Sequence, residues 1–158
     1  MWKSWTKKTA KTKPMIVPAS HTSSHPPESF DAANRGNCTW NTIFSQLNTP
    51  TDSMCSGIGV CKPRTGRLCS HRHKQAEIYY IISGRGVVRI DGTEYKVEGG
   101  SSVFIPGDAE HGIFNFEDEE LTWLYVFPTG AFGDIKYRFS DEVDGKERTK
   151  EKELKAKL

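Results

Sequence analysis

From Asn37 to Phe127 the sequence is a chain of short runs rich in apolar and β-branched residues, each closed by a turn signal. The runs are Cys38 to Gln46, Met54 to Lys62, Leu68 to His73, Glu77 to Ile82, Gly86 to Ile90, Glu94 to Val97, Ser102 to Ile105, Gly112 to Phe116 and Leu121 to Phe127. Stretches of this length are too short for amphipathic helices, which need about 10 to 12 residues, and suit strands. Between them stand Ser83-Gly84-Arg85-Gly86, Asp91-Gly92, Glu98-Gly99-Gly100 and Pro106-Gly107. Asp-Gly between two apolar runs is a strong hairpin signal, because a type I′ turn needs positive φ at both central positions. Many short strands at nearly even spacing predict an all-β sandwich or barrel.

The 158 residues predict one domain. Residues 37–140 carry the strand pattern, which Ile135, Tyr137 and Phe139 extend by alternating with Lys136 and Arg138. Residues 1–36 read as a flexible arm with five lysines and no acid before Glu28, and 141–158 as a charged tail. Net charge is only +2 and the basic excess sits in the arm, so no nucleic-acid face is expected. No apolar stretch reaches the roughly 18 residues of a membrane span, and residues 1–29, with no apolar h-region, are not expected to act as a secretory signal. Cys38, Cys55, Cys61 and Cys69 lack metal-ribbon spacing and are expected as reduced thiols in a cytoplasmic protein.

The chemistry concentrates at His71, His73, Glu77 and His111. Two imidazoles two residues apart on an extended segment share one face. Glu77 opens the next apolar run, read as a strand beside the first, so its carboxylate can meet the same point. Three imidazoles and one carboxylate suit Fe2+, Mn2+, Zn2+, Ni2+ or Cu2+ better than Ca2+ or Mg2+. Alternation from Glu77 turns Tyr79 and Ile81 inward and Ile78 and Tyr80 outward. By the same parity Cys69 shares the face of His71. Trp123, Tyr125 and Phe127 share a face of the last run, but parity alone does not say which face is inside. Arg64, Arg67 and Arg72 read as a solvated rim, and His21 and His25 lie outside the strand pattern.

The spacing Gly66, four residues, His71-x-His73, three residues, Glu77, six residues, Gly84 resembles the first signature of the cupin superfamily. Gly100, five residues, Pro106, then His111, three residues, Asn115 resembles the second. The resemblance implies a double-stranded β-helix, or jelly-roll barrel, with one divalent transition metal per chain on His71, His73, Glu77 and His111. It also implies a small-molecule substrate and a homodimer. The expected function is that of a metal-dependent enzyme, oxidative in the leading reading, with Fe2+ favoured. A non-redox lyase or isomerase using Tyr79 as base is the alternative, and a non-catalytic binding protein the third reading. Small cupin lyases that split dimethylsulfoniopropionate look similar at the Glu77-x-Tyr79 position.

Overall fold

The structure, a computed structural model, describes residues 12–140. Among them eleven strands form: β1 (Glu28–Ser29), β2 (Thr39–Phe44), β3 (Cys55–Cys61), β4 (Gly66–Arg72), β5 (Glu77–Ser83), β6 (Arg85–Ile90), β7 (Thr93–Glu98), β8 (Ser102–Ile105), β9 (His111–Asn115), β10 (Leu121–Phe127) and β11 (Arg138–Phe139). They make a six-stranded sheet in the order β1-β2-β3-β10-β5-β8 and a five-stranded sheet in the order β11-β4-β9-β6-β7. Every strand pair is antiparallel. This is the expected jelly-roll barrel. No helix among the described residues is long and apolar enough to cross a membrane.

The core is the inner face of both sheets, set by period-2 alternation. On β3 and β10 buried and half-buried residues alternate without a break, and Leu121, Trp123, Tyr125 and Phe127 are the buried set. The face that parity left open is therefore the inner one. On β5, Glu77, Tyr79 and Ile81 are buried while Ile78, Tyr80 and Ile82 are exposed, as predicted. Asp91 (φ 46°) and Gly92 (φ 80°) form the turn between β6 and β7. Gly84 has φ 80°, and a Cβ there would stand 2.1 Å from the Glu120 carbonyl oxygen, so neither backbone nor space admits another residue.

Several expectations are corrected. β4 and β5 do not lie side by side: β4 is flanked by β9 and β11, and β5 by β10 and β8. The short link between them crosses from one sheet to the other, so Glu77 faces the histidines from the opposite wall. The extended segment ends at Arg72, leaving His73 just beyond β4. The register of β4 on β9 slips between Leu68 and His71, and these two residues, three apart, are both buried. That bulge defeats simple alternation. Cys69 is half-buried and packs against the edge of the core.

Cys38 and Cys61 are joined in a disulfide, against the expectation of four reduced thiols, while Cys55 and Cys69 are free. Thr39 lies opposite Val60, so the next cross-strand pair is Cys38 with Cys61. Their meeting depends on the register of β2 on β3, which cysteine spacing does not encode. The strand predicted around Ile135 to Phe139 shrinks to Arg138–Phe139, preceded by a 3-10 turn at Phe132–Asp134. Within the stretch read as an arm, His21–Ser24 is a single helical turn and Glu28–Ser29 adds an edge strand to β2. Phe30 packs its ring 4.9 Å from Trp40 and 5.1 Å from Tyr137. The charged tail at 141–158 and the first eleven residues lie outside the described residues.

Candidate metal centre

His71 comes from the end of β4, His73 from the loop after it, His111 from the start of β9 and Glu77 from the start of β5. All four are buried, and their ligand atoms lie within 4.8 Å of one another. The structure thus brings together the four residues that the sequence singled out. His21 and His25 stay apart from them, their rings tilted against each other at 4.4 Å, with His21 Nε2 3.3 Å from the Thr42 carbonyl oxygen.

Each imidazole is held by its outer nitrogen. Nδ1 of His71, His73 and His111 lies 2.8, 2.9 and 2.9 Å from the carbonyl oxygens of Cys69, Gln75 and Ala109. A carbonyl only accepts, so each Nδ1 carries the proton and donates it, and a neutral ring then presents a bare Nε2 lone pair to the centre. His71 Nε2 is buried without a hydrogen-bond partner. Nε2 of His73 and His111 stand 3.2 and 3.1 Å from the same carboxylate oxygen, Glu77 Oε2. Bare lone pairs facing one another and an anion are unfavourable unless a cation lies between them. Burial first, and the neighbouring His111 next, push the His71 pKa well below its ordinary value, which opposes meeting that need with protons. The donor set therefore fits a divalent metal ion, with the outer hydrogen bonds fixing the ring orientations.

The rest of the pocket is aromatic. Tyr137 packs over His71 and His73 at 4.8 and 5.5 Å between ring centroids, and Phe127 lies 5.1 Å from His73. A cavity of about 30 Å³ opens beside Glu77 and Tyr79, walled by Phe30, Trp40, Trp123, Tyr125, Phe132 and Tyr137. None of its described lining residues is Lys or Arg, and Glu77 is the only acid among them. Burial, then the negative charge of Glu77, hold the Tyr79 hydroxyl well above the ordinary phenol value. The same two causes, in the same order, raise Tyr137. Tyr125 is raised by burial, although its hydroxyl lies 3.3 Å from Thr42 Oγ1.

Sequence reasoning did not place Tyr137, Phe132 or Phe30 at the site. The alternation of Ile135, Tyr137 and Phe139 was a signal for Tyr137, but nothing local said which layer that face would meet. Asn115 of the second motif is not a ligand. Its amide donates to the carbonyls of Cys61, Lys62 and Glu119 and its Oδ1 accepts from the Glu117 amide, tying together the loops behind the barrel. Arg72 points outward to Asp91 and Glu110, and Arg64 to Asp118, as a solvated rim should.

The family described as a cupin domain matches residues 60–127. The chain is 34% identical over 126 residues to dimethylsulfoniopropionate lyase DddW of Ruegeria pomeroyi, an alignment covering 73% of this chain and 82% of the relative. In three dimensions it resembles the polyketide cyclase RemF of Streptomyces resistomycificus, with TM-score 0.66 and 18% identity over 80% of this chain and 86% of that one. It also resembles a predicted oxalate decarboxylase of Thermotoga maritima, with TM-score 0.62 and 23% identity over 73% of this chain and 99% of that one. At these identities the structural likenesses speak for the fold alone.

Proposed function

Because this chain belongs to the cupin superfamily, we propose that its four-residue cluster holds a catalytic divalent metal and that the protein is a non-redox lyase. Its substrate in this reading is a small carboxylate bearing a cationic leaving group, of which dimethylsulfoniopropionate is the example given by the name of the 34% identical relative. The observation that carries the reading is the placement of Tyr79: buried, two residues after Glu77 on the same face, with its ring centroid 6.4 Å from that of His111.

The reaction is an elimination. Tyr79 Oη, as phenolate, takes the proton from the carbon next to the carboxylate. The C–H electron pair becomes the new C=C bond, and the carbon–sulfur bond breaks with its electrons leaving on sulfur. Dimethyl sulfide and acrylate result, and Tyr79 returns its proton to water; no atom changes hands with dioxygen. A divalent ion at the cluster would supply the positive charge that acidifies this C–H bond and opposes both burial and Glu77 in their effect on the phenol. The elimination is redox-neutral overall and needs no oxidant, so Fe2+, Mn2+, Zn2+, Ni2+ and Cu2+ all remain compatible with the donor set. The rings of Phe30, Phe132 and Tyr137 in the wall, which has no Lys or Arg among its described residues, suit a sulfonium or similar cation through their faces.

The oxidative reading has no comparable observation in its favour. The test is to incubate metal-loaded protein with dimethylsulfoniopropionate under exclusion of oxygen and follow acrylate by NMR. Acrylate formation with zinc as well as iron supports the lyase. Oxygen uptake without acrylate would return the oxidative reading to first place.

A further inference from the structure

Trp40 on β2 and Trp123 on β10 lie directly opposite the same residue, Gly59 of β3, one on each side of it. Both line the cavity beside Glu77 and Tyr79. A Cβ at Gly59 would fall 2.4 Å from Cζ2 and 2.5 Å from Cε2 of Trp123. Cε2 is the ring carbon bonded to Nε1, so the indole edge that carries the N–H settles into the space left by the missing side chain. Nε1 of Trp123 and Nε1 of Trp40 are both buried, and neither has a hydrogen-bond partner. Buried donors without acceptors are rare in folded proteins, because each loses its hydration without replacement. Two in the wall of one small cavity, across one glycine, call for a common explanation.

An indole N–H donates and never accepts, so its missing partner is an acceptor. Water and a carboxylate oxygen can both accept from an indole, and the carboxylate is the acceptor that the proposed substrate itself carries. We infer that the indole N–H groups of Trp40 and Trp123, brought to either side of Gly59, form a subsite for a carboxylate oxygen of the substrate. The identity of that carboxylate rests on the lyase reading. The ring centroids of Trp123 and Tyr79 are 5.8 Å apart, so a carboxylate held at Trp123 keeps its neighbouring carbon within a small molecule's length of the tyrosine ring. Gly59 is a positioning residue in this arrangement: it touches no substrate and gives the Trp123 edge its room.

The experiment is an indole 15N–1H NMR titration of the full chain, loaded with diamagnetic zinc, using acrylate as the probe. The chain has four tryptophans. The two indole resonances that vanish in Trp40→Phe and Trp123→Phe should move downfield together and saturate together. Each Phe variant should weaken acrylate by about tenfold or more, the scale of a hydrogen bond to a charged group. Gly59→Ala, which keeps both N–H groups but crowds the indole edge, should weaken acrylate similarly at unchanged zinc content. Saturation with acrylate while no indole resonance moves would overturn the subsite and requires no variant to fold. Equal shifts with neutral acrylamide would overturn the carboxylate assignment. Acrylate shifts in a protein that does not cleave dimethylsulfoniopropionate would uphold the subsite and reject the lyase; cleavage without shifts would do the reverse.

Discussion

Nε2 of His111 lies 3.1 Å from Oε2 of Glu77, although the first side chain comes from β9 of the five-stranded sheet and the second from β5 of the six-stranded one. The centre is therefore a clasp between the two walls of the barrel. Since the backbone carbonyls occupy the outer nitrogen of every histidine, nothing but the inner nitrogens and the carboxylate is left to meet there.

This geometry predicts that His71→Ala, His73→Ala and His111→Ala each sharply lower metal content, while His21→Ala and His25→Ala leave it unchanged. Elemental analysis of the five variants purified without chelator checks this. Equal metal across the set would reject the donor assignment.

Glu77→Gln keeps the length and one carbonyl oxygen but removes the anion. A neutral amide binds a divalent ion more weakly than a carboxylate, so occupancy and turnover should fall together and excess metal should restore part of both. A metal titration curve that overlays the parent's would place Glu77 outside the ligand set.

Tyr79→Phe should retain the metal, since His71, His73, Glu77 and His111 keep all four donors of the cluster. If Tyr79 moves the proton, turnover should drop by about two orders of magnitude or more. A loss under about tenfold, measured as acrylate released per metal ion, would reduce Tyr79 to a pocket wall.

Alkylation of the denatured, unreduced protein should modify two of the four cysteines, Cys55 and Cys69. Removing the Cys38–Cys61 link with paired serine substitutions should cost about 3 to 4 kcal/mol of stability, the entropy of closing a loop of its length. The midpoint of a urea transition reads this. Four alkylated thiols in the parent would restore the reduced state expected from the sequence.

We propose that the homodimer expected from the family resemblance forms through the outer face of the six-stranded sheet. Ile78, Tyr80 and Phe104 on the outer face of the six-stranded sheet are 47, 45 and 66% exposed, and Ile78 pairs directly with Phe104. If a second copy covers this face, Phe104→Glu should shift the mass measured by light scattering from dimer to monomer. A parent that is monomeric at micromolar concentration would dispose of the expectation.

Legible in the sequence were most of the central strands, the inward parity of Glu77, Tyr79 and Ile81, the Asp91-Gly92 hairpin and the candidate set His71, His73, Glu77 and His111. These are local properties: strand alternation has period two, turn residues declare their backbone angles, and ligand types declare their chemistry. Which sheet each strand joins, and so whether Glu77 stands beside the histidines or across from them, became visible in the folded chain. The tertiary structure alone exposed the slip in register between Leu68 and His71, the pairing that sets Cys38 opposite Cys61, and the return of Tyr137 over His71 and His73. Each of these depends on a pairing between segments distant in the chain, and a slip of one residue sends every side chain of a strand to the other face. Gly59 shows the same limit from the other side. In the sequence it is one glycine in an apolar run; its meaning comes from the two tryptophans that register brings to its flanks.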